Sequence, residues 1–313
     1  MTILVTGATG FVGAAVVRAL RRHGQRVLAL VRDANKTLAL QAAGIEIAIG
    51  DMWRPETYEP LVKQVDVVVH AAQQSLRGRW GSRQILTMHE SDALMTRTLA
   101  RACLDQAKPF VYSSGALTHG GSGRQWTDEA SPPNPCFVAQ GHAKMVEELT
   151  SLQRSHGLRL LVMSPGFVYG SGGFVQMTAE LIRRRQYYHL GCPENYWSLV
   201  HVDDLGEAYA LAIEQERYGQ CYFVGDDEPL TRRDVVDQLA DGLGCPRVRR
   251  APGWLMGVVL GFPMIEAATA SIRLRNDKLK RELGWQPCYA TFSKGLPVVL
   301  QQLSASSAGL ARC

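Results

Sequence analysis

Three glycines spaced three residues apart follow the first apolar run of the chain. Residues 3–5 predict a short buried strand, which leads directly into the segment TGATGFVG at residues 6–13. Glycines in such a loop allow a tight turn, let the backbone approach a phosphate, and let the next helix pack closely on the sheet. The amino end of that helix offers unpaired N–H groups to an anion. The spacing therefore predicts a dinucleotide site with contacts from Gly7, Thr9, Gly10, Phe11, Val12 and Gly13.

The residue after the second predicted strand bears on which dinucleotide is bound. Sites for NAD usually carry Asp or Glu there, because a carboxylate holds the ribose hydroxyls. Here Arg32 stands at that position and Asp33 follows it. A guanidinium forms paired hydrogen bonds with a 2′-phosphate, so we favour NADP(H) over NAD(H). The carboxylate of Asp33 keeps NAD(H) open as an alternative, and a third interpretation makes Arg32 only a solvated charge.

Strand-like and helix-like apolar patterns alternate through the first half of the chain, and these elements must position the loop. Strands are predicted at residues 3–5, 26–31, 45–49, 65–69, 110–112 and 158–163. Helices are predicted between most of them, at residues 11–22, 36–43, 88–106 and 142–156. This alternation predicts an α/β fold with a doubly wound, Rossmann-type parallel sheet.

The pattern changes after Pro165 and predicts a second, smaller unit. Helices are expected at residues 174–185 and 231–243, the latter with Thr231 as its N-cap. Residues 200–202 and 221–224 are expected to be short strands that return to the sheet. We therefore expect a dinucleotide-binding domain at residues 1–165 plus about 199–224, and a C-terminal substrate-binding domain at about 166–198 plus 225–313. The site is expected in the cleft between them.

Composition indicates an ordinary globular chain. Of its 313 residues, 46% are hydrophobic and 20% are charged, with a net charge of +5 and no long basic run. Nucleic acid is therefore not an expected partner. The seven cysteines include no Cys-x-x-Cys pair, so neither a disulfide framework nor a structural zinc site is expected, and we predict no metal site. Free thiols fit the reducing cytoplasm.

One apolar stretch, residues 251–270, needs a separate interpretation. Pro252, Pro263 and Glu266 interrupt it, so a membrane span is not expected. A pair of helices that is buried or faces an interface is the interpretation we favour. The alternatives are a contact with a membrane surface or an apolar lid over the substrate.

Several further segments occur in a consistent order along the chain. They are Gly50-Asp51-Met52, His70-Ala71-Ala72, Tyr112-Ser113-Ser114, SPGFVYG at residues 164–170, SLVHVDD at 198–204 and LGWQP at 283–287. Together with the glycine loop, they resemble the motifs of the extended short-chain dehydrogenase/reductase family, also called the NAD-dependent epimerase/dehydratase family. The resemblance covers nearly the whole chain.

The resemblance implies additional contacts at the ends of the predicted strands. Residues 50–52 look like the family's adenine contact, residues 70–72 like the segment that runs along the cofactor, and residues 164–170 like the turn beside the nicotinamide. The fifth strand ends where the family keeps a catalytic Ser or Thr. The cofactor-binding residues implied in this way are Asp51, Met52, His70, Ala71, Ala72, Lys144, Pro165, Gly166 and Val168.

The catalytic motif departs from the family pattern. Relatives carry Tyr-x-x-x-Lys on the helix after the fifth strand, where the Lys holds the nicotinamide ribose and the Tyr exchanges a proton with the substrate. This chain has Lys144 but Gln140 four residues earlier, and no tyrosine lies between Tyr112 and Tyr169. An amide cannot titrate, so the usual proton relay is missing. The catalytic residues that we expect are Lys144, Gln140, Ser113, Ser114 and Tyr169.

Other side chains could replace the missing tyrosine. His142 has suitable chemistry, but it lies two positions from Gln140 on a helix and is expected to face elsewhere. His119 follows the fifth strand, Tyr169 lies on the nicotinamide side, and Lys144 could donate through a water molecule. For each of these residues alone, the simpler interpretation is that it has no catalytic role.

The resemblance implies an enzyme of unusual chemistry. Relatives that act on nucleotide sugars usually carry Arg-Asp where this chain has Tyr196 and Trp197, which suit a flatter, more apolar substrate or simply pack at an interface. We expect an NADP(H)-dependent, atypical member that acts on a small or medium carbonyl or alcohol. The alternatives are a redox-neutral epimerase, dehydratase or cyclase, and a sensor that binds NADP(H) without turnover. The expected partner is a small-molecule substrate, and family members commonly form homodimers through the helices beside the fifth strand.

Overall fold

The computed structural model describes residues 1–76, 78–190 and 194–310. Its strands are β1 (Thr2–Thr6), β2 (Arg26–Val31), β3 (Glu46–Ile49), β4 (Val67–His70), β5 (Phe110–Ser113), β6 (Gly121–Thr127), β7 (Leu160–Pro165), β8 (Phe167–Tyr169), β9 (Tyr188–Leu190), β10 (Tyr196–Trp197), β11 (Leu199–His201), β12 (Gln220–Val224), β13 (Leu230–Thr231), β14 (Arg249–Ala251) and β15 (Ser271–Leu274). Its helices are α1 (Phe11–Arg22), α2 (Leu38–Ala42), α3 (Ser82–Asp105), α4 (Gln140–His156), α5 (Gly173–Arg183), α6 (Val202–Glu214), α7 (Arg232–Gly242), α8 (Gly253–Leu260), α9 (Phe262–Thr269), α10 (Asp277–Leu283) and α11 (Phe292–Leu310).

Seven parallel strands form the central sheet, in the order β12-β7-β5-β4-β1-β2-β3. Thr6 at the end of β1 stands opposite Leu30 on β2 and His70 on β4. The strand order reverses at β1, because β2 and β3 continue on one side while β4 and β5 lie on the other. At such a point the loops that follow the strands diverge and leave a crevice at their carboxyl ends. The predicted doubly wound α/β fold is confirmed.

One strand that was expected to return to this sheet pairs elsewhere. Residues 221–224 do return, as part of β12 beside β7, but β11 pairs in parallel with β8 instead. Gly166, between β7 and β8, lies so close to this second pair that a Cβ there would overlap the carbonyl oxygen of Ser198. β8 begins directly after Gly166 and forms a separate two-stranded sheet with β11.

Helices cover both faces of the sheet. On one face α1 packs against α6, and their contact is so close that a Cβ at Gly206 would lie 2.7 Å from the carbonyl oxygen of Ala15. On the other face α3 and α4 bury Leu99 and Leu149 against the sheet. Burying apolar area on both faces explains why the central strands are apolar throughout, without alternation.

The C-terminal part packs around its own apolar cluster. α5, α7 and α11 contribute Ile182, Leu239 and Phe292 to this cluster, and Tyr169 and Trp197 join it from β8 and β10. As predicted, Thr231 caps α7, because its hydroxyl oxygen accepts a hydrogen bond from the Asp234 N–H. The apolar stretch at residues 251–270 forms the helix pair α8 and α9.

Three further observations concern the described residues only. None of their helices is both long and apolar enough to cross a membrane. No group of three or more metal-ligating side chains is found among them. Cys103, Cys136, Cys221, Cys245 and Cys288 are free thiols, whereas Cys192 and Cys313 lie outside the described residues.

Candidate active site

The glycine loop between β1 and α1 is held by close backbone contacts. Gly7 has φ of +70°, and a Cβ there would lie 2.7 Å from the carbonyl oxygen of Ala71. At Gly13 a Cβ would overlap the carbonyl oxygen of Gly7, so this glycine lets α1 pack against the loop. At Gly10 a Cβ would lie 3.1 Å from the carbonyl oxygen of Gly7, so a side chain there requires a small shift of the loop. The predicted roles of Gly7 and Gly13 fit this geometry, and Gly10 lines the groove above the loop.

A buried hydrogen-bond chain beneath the loop fixes the ends of β1 and β4. The Thr6 hydroxyl accepts from the N–H groups of Ala71 and Ala72 and donates to Nδ1 of His70, at 2.8 Å. The Nε2–H of His70 donates to the Thr96 hydroxyl at 3.1 Å. Complete burial lowers the pKa of His70 to about 3, so the ring is neutral at neutral pH. His70 therefore supports the loop through its hydrogen bonds with Thr6 and Thr96, and it does not line the groove.

A groove of about 520 Å³ runs over this loop at the carboxyl ends of β1, β2 and β4. The first turn of α1 points into this region, and no side chain caps its N–H groups. Open helical N–H groups bind anions readily, which suits the pyrophosphate of a dinucleotide. Residues that line the groove and were predicted from sequence are Gly7, Thr9, Gly10, Arg32, Met52, Ala71 and Ala72.

Two acidic residues near one end of the groove are used for local structure. Asp33 accepts a hydrogen bond from the Asn35 N–H and caps the short helical turn that follows. Asp51 accepts from the Trp53 N–H at 2.9 Å. Arg32, in contrast, is exposed and lines the groove. Of the predicted residues 50–52, Gly50 and Met52 line the groove.

A second cavity, of about 380 Å³, adjoins the groove between α4, β5 and β8. Gln73, Gln74 and Ser75 line both spaces, so the two form one continuous site. The predicted residues Val12, Ser114, Pro165, Gly166 and Val168 line this cavity. Most of the remaining wall is apolar, with contributions from Leu76, Trp80, Met88, Leu117, Val138, Phe167 and Ile272. None of the described lining residues is Asp, Glu, Lys or Arg.

The two adjacent serines after β5 face opposite sides. The Ser113 hydroxyl accepts a hydrogen bond from the Tyr209 hydroxyl at 2.8 Å, on the side of the sheet covered by α6. Ser114 lines the cavity, and its Oγ is buried without a hydrogen-bond partner among the described groups. A buried hydroxyl without a partner is costly unless a ligand satisfies it. Ser114 is therefore the serine that can hold a substrate oxygen.

His142 is the titratable side chain of the cavity wall. The Gln73 side-chain amide donates to its Nε2 at 2.8 Å, which leaves the ring proton on Nδ1, where it donates to the Tyr112 hydroxyl at 2.7 Å. Burial lowers the pKa of His142 to about 4, with a smaller contribution from His89, so the ring is neutral at neutral pH.

Asp92 supports this arrangement from α3. Its buried carboxylate accepts a hydrogen bond from the Gln74 N–H at 3.2 Å and is also bonded by the Gln73 side chain. Burial raises the pKa of Asp92 to about 7, although these two hydrogen bonds act in the opposite direction. Ser91 completes the support by donating to the Gln74 side chain.

Gln140 and Lys144, which were both predicted to be catalytic, lie on the first two turns of α4. Both are exposed, and neither lines the groove or the cavity. The reason is the rotation of α4, whose core-facing positions are Met145 and Leu149. His142 precedes Met145 by one turn and continues that face up to the cavity, whereas Lys144 lies on the solvent side beside Glu148. The expectation that His142 faces away from the site is therefore wrong.

Three other candidates also lie away from the cavity. Tyr169 is fully buried in the C-terminal cluster, with its ring against His201 and Phe292. His119 uses both ring nitrogens locally, since Nδ1 bonds Thr118 and Nε2 bonds the Ser131 carbonyl. The Phe11 ring packs over the glycines at 170, 172 and 173 rather than into the groove.

Sequence reasoning missed the segment that joins the two spaces. Gln73, Gln74 and Ser75 lie in an irregular connection between β4 and α3, where no periodic pattern marks them. A run of amides and a hydroxyl directly after the end of a central strand is the one signal that could have indicated them.

Comparison with known proteins adds a family assignment. Residues 3–225 match the family model described as the NAD dependent epimerase/dehydratase family. A 3-diazoavenalumate denitrifying reductase from a Streptomyces species is 31% identical over 308 residues, which cover 95% of this chain and 99% of the relative. A 2-alkyl-3-oxoalkanoate reductase from Stenotrophomonas maltophilia is 28% identical, with 92% of this chain and 89% of the relative covered.

Solved structures show the same fold. A dTDP-glucose 4,6-dehydratase from Streptomyces venezuelae, with NAD bound, has a TM-score of 0.83 at 22% identity and covers 99% of this chain and 98% of its own. A Thermus thermophilus UDP-glucose 4-epimerase in complex with NAD has a TM-score of 0.80 at 24% identity, with 98% and 100% covered.

Proposed function

The chain belongs to the NAD-dependent epimerase/dehydratase family, and from this premise we propose that it is an NADP(H)-dependent reductase of a small or medium apolar carbonyl compound, or of the corresponding alcohol in reverse. The observation that carries the proposal is the junction at Gln73, Gln74 and Ser75. There an uncharged, largely apolar cavity opens into the groove over the glycine loop.

The residues present fit a nicotinamide dinucleotide. The open N–H groups at the start of α1 and the groove that Gly10 lines suit a pyrophosphate. Gly50 and Met52 would contact the adenosine end, while Val12, Pro165, Gly166 and Val168 would contact the nicotinamide end. When bound, the cofactor supplies or accepts a hydride.

The preference for NADP(H) rests on Arg32. Its exposed guanidinium lines the groove, whereas the neighbouring Asp33 carboxylate is engaged in capping a turn. An engaged carboxylate competes poorly for ribose hydroxyls, and a nearby guanidinium favours a phosphate on the ribose.

The cavity favours an apolar acceptor over a nucleotide sugar. A sugar nucleotide brings a diphosphate, which proteins bind with cationic side chains. The described lining of the cavity includes no Lys or Arg, but it does include aromatic rings at Trp80 and Phe167. Relatives named for reduction of 2-alkyl-3-oxoalkanoates and of a diazo compound are consistent with an acceptor of this kind.

We assign the polar contacts with substrate to Ser114 and to the pair formed by His142 and Gln73. The Ser114 hydroxyl, which has no partner among the described groups, would donate a hydrogen bond to the acceptor oxygen. His142 is a positioning residue, because it holds Gln73 at the junction and is itself held by Tyr112. In this proposal Gln140 and Lys144 take no part in the chemistry.

A second candidate is a sensor that binds NADP(H) without turnover. One observation favours it: both ring nitrogens of His142 are engaged within the protein, so no described titratable group of the cavity wall is free to transfer a proton. A redox-neutral epimerase or dehydratase remains the third candidate, since such enzymes occur among the structural neighbours.

The adjacent serines provide a matched pair for a test. NADPH oxidation is followed at 340 nm with a panel of apolar ketones, β-ketoesters and nucleotide sugars, and products are analysed in parallel. We expect turnover of an apolar ketone, a loss of about tenfold or more in kcat/KM for Ser114→Ala, and a change within about threefold for Ser113→Ala. Product without net absorbance change would favour the redox-neutral candidate, and tight NADPH binding without any product would favour the sensor.

A further inference from the structure

The large apolar side chains that are exposed concentrate in α8 and α9. Trp254, Val258, Val259 and Phe262 have exposed fractions between 57% and 68%. No charged residue occurs from Ala251 to Ile265. Trp254 and Val258 are one helical turn apart and lie on the same side of α8. Exposed apolar side chains grouped in this way mark a surface that contacts a membrane, another protein or a ligand.

These helices pack against residues that line the apolar cavity. The Trp80 N–H donates to the Leu260 carbonyl at 2.8 Å, and a Cβ at Gly261 would overlap the Trp80 carbonyl oxygen. Ala267 of α9 packs in one cluster with Trp80 and Val138, which line the cavity. The helices that carry the exposed patch are therefore linked to the cavity through Trp80 and Val138.

Basic side chains border the patch. Arg249 and Arg250 are exposed in β14, directly before α8. Arg79 is exposed as well, and its Nε–H donates to the Val258 carbonyl near the end of α8. The acidic residue of this region, Glu266, accepts a hydrogen bond from the Phe137 N–H. Apolar side chains bordered by arginines complement a bilayer surface that contains anionic phospholipids.

We propose that α8 and α9, with Arg79, Arg249 and Arg250, form a surface that rests on an anionic phospholipid membrane. Trp254, Val258, Val259 and Phe262 would enter the interfacial layer, and the arginines would contact lipid phosphates. A second copy of the chain is the less favourable occupant, because a two-fold contact would bring the arginines of both copies together. This inference is independent of the proposed reaction.

Vesicle flotation with the full chain tests the inference. We expect binding to vesicles that contain phosphatidylglycerol, weaker binding to phosphatidylcholine alone, and release as salt is raised to about 0.5 M. Trp254→Ser combined with Phe262→Ser should weaken binding at least tenfold. The matched control is Leu38→Ser combined with Met177→Ser, which removes two apolar side chains that are 75% and 47% exposed elsewhere and should leave binding unchanged.

A charge variant and the oligomeric state complete the test. Arg249→Glu combined with Arg250→Glu should abolish the preference for anionic vesicles while thermal unfolding stays within a few degrees of the unmodified protein. The inference is overturned if no vesicle binds, or if the control variant loses binding as much as the Trp254 and Phe262 variant. It is equally overturned if light scattering shows a dimer that the Trp254 and Phe262 variant dissociates.

Discussion

The hydroxyl of Tyr112 lies 2.7 Å from Nδ1 of His142, and this contact joins the central sheet to the first turns of α4 at the wall of the apolar cavity. Gln73 fixes the other ring nitrogen at 2.8 Å. The face of α4 that meets the site is therefore the one that carries His142. Gln140 and Lys144, which occupy the family's Tyr-x-x-x-Lys positions in sequence, lie on the exposed side.

The first prediction separates these two faces of α4. His142→Ala should reduce kcat/KM by about tenfold or more, because Gln73 loses the partner that holds it at the junction. Lys144→Ala and Gln140→Ala should each change kcat/KM by no more than about twofold, since neither side chain lines the site. NADPH affinity, measured by fluorescence titration, should be unchanged in Lys144→Ala. A large loss of NADPH affinity in that variant would show that Lys144 contacts the nicotinamide ribose.

The second prediction concerns cofactor choice. Arg32→Ala should weaken NADPH binding by roughly ten- to a hundredfold, because a charged hydrogen bond contributes about 1.5–3 kcal/mol. NADH binding should be nearly unaffected. Arg26→Ala is the control, since Arg26 lies at the opposite end of β2 from Arg32 and pairs with Glu46 at 2.7 Å. Calorimetric titration of both cofactors measures the effect, and equal affinity of the unmodified protein for NADH and NADPH would contradict the assignment.

The third prediction contrasts two glycines of the same loop. Gly10→Val should remain folded and lose dinucleotide binding, because its branched side chain would occupy the groove that Gly10 lines above the loop. Gly13→Ala should instead lower the free energy of unfolding by about 1–3 kcal/mol, because its Cβ would overlap the Gly7 carbonyl oxygen. Urea unfolding and cofactor titration distinguish the two effects. Normal NADPH affinity in Gly10→Val would show that the phosphates bind elsewhere.

The fourth prediction is a pH dependence of stability. The pKa of His70 falls from 6.5 to about 3 on folding, so below pH 6.5 the unfolded chain takes up a proton that the folded protein excludes. Stability should therefore fall as pH decreases from 6.5 towards 3, by about 1.4 kcal/mol per pH unit from this group alone. His70→Gln should be less stable at pH 7 but show a shallower decline towards pH 4.5. Parallel curves for the two proteins in urea unfolding would contradict this account.

The elements that were predicted best are those whose signals are local. The bounds of α1 and β2 agree with the predicted ranges because the 3.6-residue apolar period of α1 ends at a glycine turn and a continuous apolar run follows. The glycine loop could also be predicted from the sequence. Each of its glycines has a close backbone contact, either within the same β-α unit or with the residues that follow β4.

The rotation of α4 depends on tertiary packing and could not be predicted from the sequence. The spacing of four places Gln140 and Lys144 on one helical face, but it does not indicate which face of the helix meets the sheet. That choice is made by Met145 and Leu149, which are buried against the sheet. The pairing of β11 with β8, with Gly166 packed closely against Ser198, is likewise a tertiary contact that no local pattern encodes.

The central claim is that the groove and the apolar cavity act as one site for hydride exchange. Its most direct test uses NADPH labelled with deuterium at the transferable position of the nicotinamide, with an apolar ketone from the panel and mass spectrometry of the product. With the unmodified protein we expect an alcohol product that carries one deuterium. Ser114→Ala should form about tenfold less of this labelled product in the same time, and Gly10→Val should form none. Bound NADPH that delivers no label to any acceptor would contradict the claim.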